Sequence, residues 1–222
     1  MSQKGFTLVE LMVGLVIAML CMIMMLMLFK QTTQIGISSS RDSEYDAQIR
    51  TALSVAQKLV QNAGYGSGKT SDIAVGVDTQ NLPAVFWRMN PDPVTSLMSA
   101  NTTISYNCEA LTQEKEGDTY RLIFLKKNNC GSEAVLNIET FSQPDEKQHI
   151  VSFKTLETGT VFNFVLTPGN CTPFGIDKNN SKGTRQLTIT ANRQYADADE
   201  MQNSNIGQTV SNTVCLNNIV NL

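Results

Sequence analysis

Nineteen consecutive uncharged residues, Leu11 to Phe29, constrain this chain more than any other stretch. A helix over this run, extended back to Phe6, spans roughly 28–36 Å, enough to cross the hydrocarbon core of a bilayer. Between Phe6 and Phe29 the polar interruptions are Thr7 and Glu10. A carboxylate inside a membrane costs roughly 2.5–3.5 kcal/mol at a helix centre on insertion scales, and such residues tend to mark function. Glu10 therefore asks for a partner, and the sequence around it offers no obvious one. Lys4 precedes the run and Lys30 follows it, so the positive-inside bias toward a cytoplasmic N-terminus is slight.

Two ordinary export signals do not fit. A secretory signal peptide closes its apolar core with a small-x-small cleavage site, whereas this run ends Met27-Leu28-Phe29-Lys30-Gln31. Lipoprotein processing at Cys21 needs a small residue before the cysteine, and Leu20 is bulky. The small residue at a polar-to-apolar boundary is Gly5, which lies before the run.

The stretch Lys4-Gly5-Phe6-Thr7-Leu8-Val9-Glu10 resembles the processing site of type IV prepilins and the related type II secretion pseudopilins. The resemblance implies that a prepilin peptidase cuts after Gly5. Phe6 then becomes the first mature residue and is N-methylated, and Glu10 becomes the fifth. Cutting there frees a positive α-amine at Phe6, close in membrane depth to Glu10. In a bundle of such subunits Glu10 of one chain can form an assembly salt bridge with the Phe6 amine of another. A carboxylate left alone in a low-dielectric core is costly, so the pair rewards one axial register. Snorkelling of Glu10 to the headgroups is the alternative.

Beyond the membrane run, residues 32–63 read as a continuing helix. Tyr45, Ile49, Ala52, Leu53, Ala56, Leu59, Val60 and Ala63 recur at three- and four-residue steps and make one apolar face. Gly36 and Ser38-Ser39-Ser40 are its weakest stretch, but the first proline is Pro83. One helix of about 58 residues, on the order of 85 Å, is the simplest reading. Gly64-Tyr65-Gly66-Ser67-Gly68 should end it. The same stretch holds a decoy, because Gly68-Lys69-Thr70 ends like a phosphate-binding loop. That loop needs a glycine where Ala63 stands, and it should follow a strand rather than a helix.

The remainder reads as β-rich, with strands expected over Ala84–Arg88, Thr103–Cys108, Thr119–Lys126, Ala134–Glu139, His149–Thr155, Thr160–Leu166, Leu187–Ala191 and Thr213–Val220. Glu157-Thr158-Gly159-Thr160 reads as a hairpin turn between two of them. Irregular connections are expected over Pro91–Ala100, Pro168–Thr184 and Asn192–Thr209. The fold class is thus α+β, with an amphipathic helix against an antiparallel sheet, the ladle form the resemblance implies. The plan is a leader over 1–5, a transmembrane or filament-core helix over 6–30, its amphipathic continuation over 31–63 and a periplasmic β-rich domain over 64–222.

Cys108, Cys130, Cys171 and Cys215 lie outside the membrane run, an even number that points to two disulfides and an oxidising compartment. Four cysteines allow three pairings; the shortest loops favour Cys108–Cys130 with Cys171–Cys215.

Little else suggests chemistry. His149 is the single histidine, so neither a histidine metal cluster nor a histidine-based catalytic dyad is expected. The acidic stretches Asp177–Ser181 and Asp197–Glu200 lack the spacing and glycine of a calcium loop. Trp87, Phe86 and Tyr106 suit a core. After Ala63 there are 12 Lys+Arg against 16 Asp+Glu, a balance of −4, which gives no basic face for nucleic acid. No catalytic residue, cofactor or metal is expected; a membrane-anchored periplasmic enzyme is the contrasting class.

Major pilins of the family are commonly shorter and often carry a proline in the second half of the apolar helix. Here Met22–Leu28 has none, and 159 residues follow Ala63. These departures resemble minor pilins of the PilW kind. The resemblance implies a low-copy subunit that helps initiate pilus assembly and joins a tip complex. Its partners would be other minor and major pilins, the prepilin peptidase and the inner-membrane assembly platform. The alternative within the superfamily is a GspJ-like minor pseudopilin of type II secretion.

Overall fold

The computed structural model describes residues 7–93, 105–131, 134–154, 160–172, 183–192 and 209–219. One helix, α1, runs Leu8–Val60 without a break through Gly36 and the serine run. The chain divides into two compact units, with the boundary between Glu44 and Tyr45.

In the first unit the helix presents its side chains to its surroundings. Every large apolar residue described from Leu8 to Phe29 is exposed, as are Ile35 and Ile37. Leu8–Ile37 is long and apolar enough to cross a membrane, and its most apolar 18-residue stretch has a mean hydropathy of 2.9. Where polar residues follow, the helix satisfies them itself: Thr32 Oγ1 donates to the Leu28 carbonyl at 2.8 Å and Thr33 Oγ1 to that of Phe29 at 2.9 Å.

The second unit begins with the last four turns of α1, and here the three- and four-residue apolar period buries its residues. Ile49, Ala52, Leu53, Ala56 and Val60 are enclosed. The last turn tightens to three-residue bonds, Asn62 N–H to Leu59 O and Ala63 N–H to Val60 O. Gly64, Gly66 and Gly68 then take φ near +73°, the left-handed geometry that stops the helix. Gly64 also donates its N–H to the Arg88 carbonyl at 2.9 Å, and a Cβ there would lie 2.7 Å from Ile219 Cγ1.

Eight strands follow among the described residues: β1 Ile73–Val77, β2 Pro83–Met89, β3 Tyr106–Glu116, β4 Thr119–Cys130, β5 Glu146–Lys154, β6 Phe162–Cys171, β7 Gly183–Asn192 and β8 Thr209–Cys215. They form two antiparallel sheets, ordered β1-β2-β3-β4-β5 and β6-β7-β8. Val85, Trp87, Leu111, Leu122 and Phe124 of the first sheet share one core with Phe162, Phe164, Leu187, Ile189 and Val214 of the second. The buried face of α1 belongs to the same core. Period-2 alternation sends Phe86, Tyr106, Ile123 and Leu125 to the opposite face of the larger sheet, where Leu136 and Phe141 cover them.

Buried polar groups tie these layers together. Gln113 works like a short strand: its amide donates to the carbonyls of Pro83 and Phe162, and its oxygen accepts from Phe162 N–H, all at 2.9 Å. Arg88 and Asp72 form a buried ion pair, Nε to Oδ1 at 3.3 Å. The Arg88 guanidinium also donates to Gly131 O at 2.9 Å and Ala134 O at 3.0 Å. Tyr45 OH donates to Asn192 O at 3.4 Å, and burial first, with Asp46 second, pushes its phenol up to about 12.

Several expectations are corrected. Ala134–Glu139 is not a strand; Ile138–Phe141 is a 3-10 turn, because the Asn137 side chain accepts from Thr140 N–H and Phe141 turns into the second core. The strand expected over Thr103–Cys108 continues to Glu116, its polar residues hiding a hairpin closed at Gly117-Asp118 with φ 58° at the glycine. β1 was not among the expected strands. Glu157–Gly159 of the expected hairpin turn lie outside the described residues, and β5 and β6 on either side belong to different sheets rather than pairing with each other. Pro168–Cys171 and Gly183–Thr184 are strand rather than connection, Pro168 being tolerated on edge strand β6 next to a register shift. β8 starts at Thr209, and Leu216–Ile219 lies beyond its end.

The disulfides are Cys108–Cys130 and Cys171–Cys215. The first clasps the open end of the β3–β4 hairpin. The second joins β6 to β8 across the start of β7, where a Cβ on Gly183 would meet Leu216 O at 2.5 Å.

One buried carboxylate has a pH consequence. Trp87 Nε1 donates to Glu109 Oε2 at 2.9 Å, within a cross-strand row that continues to Lys126 and Glu146. Burial pushes the Glu109 carboxyl up, against the lowering effects of Trp87 and Lys126. The folded state then holds the proton more tightly than the unfolded chain, so this residue subtracts stability as pH rises through the folded value. Glu109→Gln keeps an acceptor for Trp87 and should exceed the parent in stability at neutral pH. The difference should vanish by about pH 4. Denaturant titrations at several pH values check this, and a pH-independent difference refutes it.

Candidate functional site

The helix N-terminus is built by a local exchange of hydrogen bonds. Thr7 precedes the first helical residue, and Leu11 N–H already donates to its carbonyl at 3.3 Å. Thr7 N–H and Oγ1 donate to Glu10 Oε2 at 3.1 and 3.0 Å, and Glu10 N–H donates back to Thr7 Oγ1 at 3.4 Å. This reciprocal arrangement is a capping box, which satisfies donors that a helix start otherwise leaves open. A carboxylate in the first turn also suits the positive end of the helix dipole.

Glu10 therefore has a partner in its own chain, which corrects the expectation that none is nearby. The missed residue is Thr7, and its signal was present: Thr7-Leu8-Val9-Glu10 is the spacing of a capping box before an apolar run. The geometry leaves the carboxylate accessible. Gly14, one turn on, has nothing within 4 Å of a Cβ position, and Ala18 follows one turn later. A helical side chain leans toward the N-terminus, so a glycine four residues on leaves the flank of Glu10 uncovered. Gly5 and Phe6 lie outside the described residues.

The other singled-out residues fall elsewhere. Trp87, Phe86 and Tyr106 are core. His149 is exposed on β5. Asp177–Ser181 and Asp197–Glu200 lie outside the described residues. Among the described residues no group of three His, Cys, Asp or Glu could hold a metal. At the decoy, Lys69 N–H is turned inward to Asp72 Oδ2 at 3.2 Å, which opposes a phosphate there. Ser67 Oγ donates to the same oxygen.

Residues 1–26 match the family model described as the prokaryotic N-terminal methylation motif. Over these residues the chain is similar to type IV prepilins. No curated protein and no solved structure matches it. For a prepilin-like chain the motif implies processing by prepilin peptidase and assembly with other pilins. Among the described residues one helix is long and apolar enough to cross a membrane, and together with the motif it fits an inner-membrane anchor.

Proposed function

We propose that the protein is a minor type IV pilus subunit of the PilW type. It helps initiate assembly at the inner membrane, where its β-rich unit lies on the periplasmic side, and it then takes a place in a tip complex on the surface pilus. Twitching, adhesion or DNA uptake would depend on it through the fibre. The reading is supported by one conjunction: a prepilin motif on an exposed apolar helix, followed by a large two-sheet, two-disulfide unit. Filament-core helices pack about 8–10 Å apart, which crowds the heads around them. A bulky head is easier to place at the end of a fibre than to repeat along its shaft.

In this reading Gly5 and Phe6 are the cleavage and methylation positions. Glu10 exchanges its bond to Thr7 for the Phe6 amine of a neighbouring pilin. The Thr7 cap gives the carboxylate a satisfied state before assembly, so the neighbour's amine must outcompete it.

Deletion of the protein should abolish or sharply reduce surface pili while type II secretion continues. Lost secretion with normal pili would move the chain to the GspJ-like pseudopilins. Normal piliation and secretion together would reject both readings.

A further inference from the structure

The face of the larger sheet opposite α1 carries a groove of about 430 Å³. Thr112, Ile123, Leu125 and Phe141 line it, all buried, so its floor is mostly apolar. Its charged lining residues are Asp78, Glu114, Glu139 and Lys147, a balance of −2. The single ammonium is already engaged, since Lys147 Nζ reaches the Glu114 oxygens at 3.2 and 3.3 Å.

Asp78 is the unusual member. It is only 9% exposed, and Oδ1 accepts from the backbone N–H groups of Gln80 and Leu82, both at 2.8 Å. Its own backbone N–H also favours the charged form, and the residue lines the groove together with Glu114. Burial, with the charge of Glu114 adding to it, raises the Asp78 carboxyl against those backbone bonds. A nearly buried carboxylate beside a second carboxylate favours a cation. The groove lacks the ligand set for a metal, as no cluster of three acidic, histidine or cysteine residues occurs among the described residues. An organic cation with an apolar stem matches both parts of the lining.

We propose that this groove docks an arginine side chain of a partner subunit, with its stem on the apolar floor and its guanidinium on Asp78. Arginine suits the site better than lysine. Its planar, weakly hydrated head stacks on apolar and aromatic surfaces and presents several donors to neighbouring carboxylates. That the arginine comes from another subunit rests on the assembly reading above.

The test uses the full chain in detergent micelles, isotopically labelled at isoleucine and leucine methyls. It is titrated with acetyl-Ala-Arg-Ala-amide and, separately, with the same peptide carrying neutral citrulline. The arginine peptide should shift the Ile123 and Leu125 methyls saturably. Citrulline should weaken binding at least about tenfold, as should Asp78→Asn with the arginine peptide. The amide oxygen that this substitution leaves can still accept from Gln80 and Leu82, so signals away from the groove should stay in place. Equal binding of the two peptides, no effect of the substitution, or no shift at the highest soluble peptide concentration would overturn the proposal. If the peptide fails to bind while a deletion strain loses pili, the groove is rejected and the assembly reading stands. If it binds while deletion leaves pili and secretion intact, the cation chemistry stands and a pilus subunit is rejected as its source.

Discussion

Asp72→Ala should destabilise the folded second unit by about 3–5 kcal/mol, the cost of stripping one partner from a buried ion pair. Asp72 and Arg88 are 1% and 3% exposed, so little water reaches either side chain. Arg88 is the register partner of Cys108 between β2 and β3, and its guanidinium holds the carbonyls of Gly131 and Ala134, just past Cys130. One side chain thus joins the turn after α1, strand β2 and the segment beyond the first disulfide. Total stabilities are typically about 5–15 kcal/mol, so the loss is a large share. Arg88→Met in the Asp72→Ala background should recover part of it, because no buried charge is then left alone. Trp87 is the single tryptophan and fully buried, so its fluorescence reports unfolding of the full chain in detergent. A change below about 0.5 kcal/mol for Asp72→Ala would mean that water or another group replaces the carboxylate.

Glu10→Ala should leave leader removal intact and abolish incorporation with partner pilins. Gly5→Leu should do the reverse in order, retaining the leader and blocking every later step. The two variants separate processing from assembly: mature mass reads the first, and co-purification with other pilins reads the second. The capping box sharpens the expectation. Losing the cap itself costs about 0.5–2 kcal/mol of helix stability, and Thr7→Ala should show mainly that cost. Glu10→Ala loses both the cap and the intermolecular charge, so its assembly defect should far exceed that of Thr7→Ala. Equal defects would assign Glu10 to capping alone. Normal piliation with Glu10→Ala would support snorkelling, and an unchanged mature mass with Gly5→Leu would reject the cleavage site.

The parts of the fold that were legible from residues were those with strong local signals. An apolar run followed by a three- and four-residue period marked α1, and three clustered glycines marked its end. Alternation marked Thr119–Lys126, where Leu122 and Phe124 face one core and Ile123 and Leu125 the other. The second half of β3 was hidden because Gln113, Glu114 and Lys115 look like a loop. Gln113 is nevertheless buried, its amide spent on Phe162 and Pro83, a partner 49 residues away in one case. At the candidate site the sequence singled out Glu10 for its charge in an apolar run. Its bond to Thr7 was also written in the spacing and was passed over.

By itself the sequence determined a chain with one apolar helix long enough to cross a membrane, an N-terminal methylation motif and a β-rich region held by cysteines. These follow from short-range properties: hydropathy, helical period, glycine freedom and motif spacing. Only the tertiary structure decided that the strands divide into two sheets sharing one core with α1. Only it paired Asp72 with Arg88 and placed Asp78 in a groove with Glu114. Those outcomes join residues far apart in the chain through burial, and burial sets the cost of each unmet polar group. No local pattern carries that cost, because it exists only once the layers have closed.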